Sequence, residues 1–62
     1  MPLTQKELTA IEDALTHESQ LVKKFRNYAS IAQDPAIKTQ AEQIADRHKH
    51  HYDMLMGHLY QC

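Results

Sequence analysis

Two histidines stand one helical turn apart in the stretch Ala45-Asp46-Arg47-His48-Lys49-His50-His51-Tyr52, and a carboxylate, Glu18, matches them from the first half of the chain. Imidazole nitrogen and carboxylate oxygen are the donors that hold divalent transition ions such as Zn, Fe, Mn or Ni. Position makes these three distinctive. Ile37, Ala41, Ile44 and Leu55 recur at steps of three and four, the rhythm of one helix face, and that rhythm lands on His48 and His51 in the gap. Leu8, Ile11, Leu15, Val22, Phe25, Ala29 and Ala32 form a second series with one gap, which Glu18 fills. Three polar groups thus interrupt two apolar stripes, where each costs free energy if unpaired. A divalent ion would satisfy all of them. So would a structural polar layer, with Glu18 hydrogen-bonded to the imidazoles and fixing helix register and assembly state. Both alternatives stay open at this point.

The elements that must position these groups are two helices. Thr4 followed by Glu7 forms a capping box, with Leu3 and Leu8 at the two places of a hydrophobic staple. The first helix is expected over about residues 5–32, with Ala14, Leu21 and Tyr28 widening its apolar face. Asp34-Pro35 supplies an N-cap and a first helical residue, so a second helix is expected over about residues 35–60. Ala45, Tyr52 and Leu59 broaden its buried side, and Gly57 falls on the outer one. So short a connection folds the pair back as an antiparallel hairpin. Equal rise per residue on either side of the turn then brings Glu18 level with His48 and His51.

Composition limits the alternatives. Sixty-two residues make one small domain, and a single Gly, two Pro and no alternating runs point to an all-α fold. A net charge of −1 with 24% charged residues gives no footprint for nucleic acid and no polybasic membrane patch. Apolar runs are too short to span a membrane or to form a signal-peptide core. Cys62 excludes an internal disulfide framework and fits a cytoplasmic setting; as the last residue it reads as a bystander, open to intermolecular oxidation in air. Ser19 and Ser30 have no base held beside them, so the expectation is a non-catalytic protein. The apolar faces are wider than one partner helix can cover, and domains of this size are marginal alone. A two-fold homodimer forming a four-helix bundle is therefore expected, with two Glu18 and four histidines in one central layer.

The same residues resemble one hairpin of the ferritin-like superfamily, in the rubrerythrin-like order Glu18, then Phe25-Arg26-Asn27-Tyr28-Ala29, then His48-Lys49-His50-His51 where that pattern carries Glu-x-x-His. The chain is similar over nearly its whole length to small coat F-like proteins of spore-forming bacteria. The similarity lies in Leu3-Thr4-Gln5-Lys6-Glu7-Leu8, Glu12-Asp13-Ala14-Leu15, Leu21-Val22-Lys23-Lys24, Gln33-Asp34-Pro35 and His48-x-x-His51-Tyr52. That resemblance implies a spore-coat-like structural protein, cytoplasmic or spore-associated, with other coat proteins as partners. The ferritin-like resemblance implies the alternative, a metal-binding protein with a redox or storage role. His48 stands where a di-iron member would place a carboxylate. A dimer would then offer two carboxylates rather than four, and extra imidazole shifts preference toward Zn, Ni or Cu, or toward a mononuclear site on each set of two histidines and one Glu.

Other polar residues read more plainly. His58 continues the seam about 10 Å beyond His51 and is expected to cap the open end of the bundle. Tyr52 is expected in the core with its hydroxyl near Glu18. His17 and His50 fall on outer positions, and Lys23, Lys24 and Arg26 form a solvated basic patch.

Overall fold

The computed structural model describes residues 3–60. Cys62 lies outside the described residues, so its expected role is not addressed by the fold. The chain forms two helices, α1 (Gln5–Ile31) and α2 (Pro35–Leu59). Each begins where its capping residues dictate. The Thr4 hydroxyl accepts from the Glu7 N–H at 3.1 Å, and the Glu7 carboxylate accepts from the Thr4 N–H at 2.9 Å, closing the expected capping box. The Asp34 carboxylate accepts from the Ala36 N–H at 2.8 Å, with Pro35 in the first turn. Both helices stop one residue short of the expected ends, because Ala32 and Tyr60 leave helical geometry while their N–H groups still bond back to Tyr28 and Gly57.

The helices lie side by side as a hairpin measuring 47 × 15 × 10 Å, where an end-to-end arrangement would span roughly 78 Å. Alanine sets how closely they approach. Ala29, Ala41 and Ala45 are the buried residues among those described, Ala45 with no exposed surface at all, and no large side chain is fully buried. A methyl group at the crossing lets the backbones come together, while larger neighbours pack around the contact and keep one side in solvent. The seam therefore centres on small residues rather than on the bulkiest ones.

That choice shifts the α2 register from the expected one. The buried and half-buried positions run Ala41, Ile44, Ala45, His48, Tyr52, Leu55, Met56 and Leu59, whereas Ile37 is 55% exposed and His51 and His58 are exposed. Ile37, His51 and His58 were expected on the seam; Ala45, Tyr52 and Leu59 were expected at its margin. The α1 series from Leu8 to Ala32, Glu18 included, is half-buried or buried throughout, as its spacing requires. No helix is long and apolar enough to cross a membrane among the described residues.

Candidate metal centre

Glu18 sits at the middle of α1 with its side chain 12% exposed, pointing at the α2 turn that carries His48 and His51. With protons on Nδ1, His48 donates to one carboxylate oxygen at 2.8 Å and His51 to the other at 3.0 Å. A single carboxylate is thus shared between two rings three positions apart, neighbours one turn apart on the same helix face. Each ring has a second nitrogen, Nε2, outside this pair of bonds. One donor atom from each residue lies within 4.8 Å of the others, a spacing that one ion can bridge after small side-chain adjustments.

The surroundings hold this group in place. Phe25, two turns beyond Glu18 on the same face of α1, stacks on the His48 ring at 6.1 Å with planes 16° apart. His48 and His51 meet edge to face at 5.7 Å, and Phe25 meets Tyr28 edge to face at 5.9 Å. The His48 side chain is consequently 22% exposed, whereas His51 at 46% forms the open lip of the site. Burial pushes the Glu18 pKa upward, but the hydrogen bonds and positive charge that His48 and then His51 can offer outweigh it. The net effect holds Glu18 below the usual carboxylate range. No buried side-chain polar atom lacks a hydrogen-bond partner among the described residues, so the three groups satisfy one another.

Glu18, His48 and His51, picked out by spacing, are therefore brought together. Tyr52, expected near Glu18, makes no hydrogen bond to it among the described residues. It lines a groove with Ser19, Val22, Lys23 and Lys49. His58 stands exposed in the last turn of α2, further along the helix from His51, where its spacing put it. His17 and His50 are exposed, as their outer positions require. Phe25 is the residue whose role at the site the spacing did not isolate. It reads as one more core residue, although its place seven residues after Glu18 puts it on the same stripe.

The opposite side of the hairpin is a polar cleft lined by Arg26, Ala29, Ser30, Lys38, Glu42 and Asp46. Arg26 reaches Asp46 across the helices at 3.7 Å, and Lys49 pairs with Asp53 within α2 at 2.8 Å. Lys24 places its ammonium 6.0 Å from the Tyr28 ring centre, so the basic patch is partly drawn onto the aromatic edge. No protein-family model matches the chain, and no curated protein or solved structure is significantly similar to it.

Proposed function

We propose that this chain is a small non-catalytic structural protein of the coat F-like kind, a ferritin-like hairpin that pairs with a second copy and binds a divalent transition ion through Glu18, His48 and His51. The observation that carries the metal part is the convergence of one carboxylate and two imidazoles within 4.8 Å, on two stripes that are otherwise apolar. One carboxylate and two neutral imidazoles suit Zn, Fe, Mn or Ni, with open positions left for water or further ligands. The coat-like part rests on the sequence resemblance. It places the protein in the cytoplasm or on the spore of a spore-forming bacterium, with other coat proteins as partners. A fluorescent fusion followed through sporulation is expected to gather at the forespore surface, and a diffuse signal throughout would remove that part.

An ion that binds only the folded form raises stability by mass action. Added metal is therefore expected to raise the melting temperature of the wild type. Glu18→Ala should abolish the rise, and His50→Ala on the outer face should leave it nearly intact. Titration calorimetry with Zn, Mn, Fe(II) and Ni on the three proteins decides the matter. The second reading, a metal-free polar layer that fixes register, is favoured by the mutual hydrogen bonding of the three groups. It stands if no ion binds wild type more tightly than Glu18→Ala.

A further inference from the structure

We infer that the ion is shared: one divalent cation lies on the two-fold axis between two copies of this chain, with Glu18, His48 and His51 supplied by each. This rests on the metal binding and pairing proposed above, and adds that neither copy holds the ion alone. Three observations converge on it.

The first is surface. A compact monomer of 7.2 kDa would expose about 4,100 Å² by the usual scaling with mass, whereas this hairpin exposes 4936 Å². The excess, roughly 800 Å², is about what each partner contributes to a standard interface. Among the described residues no large side chain is completely buried, so the packing that a core provides must come from outside the hairpin.

The second is place. The half-exposed apolar residues Leu21, Phe25 and Tyr28 on α1, and Ile37, Ile44 and Leu55 on α2, share their helix faces with Glu18 and with His48 and His51. The site is thus set within the face that lacks cover. Glu18 is the middle residue of the 27-residue α1, and His48 is one residue past the middle of the 25-residue α2. A second copy that covers this face along its full length, by either two-fold arrangement, must bring its own three donors to the same level. The occupant is therefore a second copy rather than an unrelated helix.

The third is charge and geometry. Two divalent ions in one layer with two carboxylates would leave two positive charges uncompensated in a half-buried setting, which is costly. One ion is neutralised by two Glu18 carboxylates, and four imidazoles complete six ligands. Each Nδ1–oxygen spacing, 2.8 Å from His48 to one Glu18 oxygen and 3.0 Å from His51 to the other, is that of neighbouring ligands of an octahedral ion, about 3 Å when bonds are about 2.1 Å. A turn of the carboxylate would present one oxygen beside both rings. Nitrogen-rich sixfold coordination suits Ni(II) or Fe(II) and does not require the tetrahedral geometry that Zn prefers.

Sedimentation equilibrium and titration calorimetry with Ni(II), on the full chain, test this. The wild type is expected to bind one ion per two chains, and saturating Ni(II) to tighten the dimer at least tenfold. Glu18→Gln and, separately, His51→Gln should lose the tightening while far-ultraviolet dichroism shows the helices intact. An ion bound by each chain with no change in the dimer constant would overturn the shared site and leave the metal reading standing. Absence of binding by the wild type would remove both. A Glu18→Gln protein that still dimerises more tightly in Ni(II) would show that outer histidines, not this layer, make the link.

Discussion

The two faces of the hairpin use polar residues in opposite ways. On one, Glu18, His48 and His51 are joined across the helices by hydrogen bonds between residues far apart in sequence, amid Phe25, Leu21 and Ile44. On the other, Arg26 and Asp46 meet at 3.7 Å with side chains 55% and 72% exposed, and Lys49 pairs with Asp53 inside one helix. Solvent screens the second set, and such pairs contribute about 0–1 kcal/mol each. The first set sits where water is partly excluded, so each member depends on the others for its hydrogen bonds. Charge alone does not mark a site; polar groups that replace apolar ones on a face, and find partners there, do.

The comparison needs a scale, and the shared seam supplies the largest expected effect. Ala45 has no exposed surface, so it lies within the contact between the two helices. Ala45→Leu should force the helices apart, lowering stability by about 1–3 kcal/mol, as overpacking does elsewhere. Denaturant unfolding followed by circular dichroism measures it, and an unchanged midpoint would mean that the helices are not held together at this point.

The site-bearing face should then show itself in acid. Glu18 has a lowered folded pKa, so its contribution is complete above the unfolded carboxylate value of about 4.3 and is lost as pH falls through the folded one. Glu7 behaves likewise at the α1 capping box, where the Thr4 N–H and hydroxyl lower its pKa. Melting temperature should fall as pH drops below about 4.5, and Glu18→Gln should make that fall shallower. Adding Glu7→Gln should flatten it further. An acid limb unaltered by Glu18→Gln would mean that the bonds to His48 and His51 do not persist in solution, and the contrast between the faces would vanish.

Much of this was legible in the sequence, for identifiable reasons. Thr4, Glu7, Asp34 and Pro35 act on their nearest neighbours, so the helix starts follow from local chemistry. Glu18, His48 and His51 were legible because each breaks an apolar rhythm, and the short turn fixes their common height. The α2 register was less legible. Periodicity counts Ile37, Ile44 and Ala45 as equally apolar, but close approach of two helices selects the small residue, so the seam kept Ala41, Ile44 and Leu55 and turned toward Ala45, Tyr52 and Leu59. A turn of the face by a fraction of one position left His51 at the lip and His58 exposed. Tyr52 went from a supposed neighbour of Glu18 to a wall of the groove beside Val22. What covers the exposed side of Phe25 and Tyr28 is set by a surface outside the single chain.

The smallest expected effect lies on the polar face. Arg26 and Asp46 are both largely exposed, and 3.7 Å is a long ion-pair distance. Their attraction is opposed by the entropy of holding two mobile side chains and by screening within about 10 Å at ordinary salt. A double-mutant cycle of Arg26→Ala and Asp46→Ala should give a coupling below about 0.5 kcal/mol that fades as salt is raised from 0.05 to about 0.5 M. Coupling between Glu18→Gln and His48→Gln should resist the same salt, because those groups are partly shielded by Phe25. A salt-insensitive coupling of 1–2 kcal/mol or so between Arg26 and Asp46 would exceed what an exposed pair supports. It would mean that this face, too, is covered in solution, and that the hairpin associates through both sides rather than one.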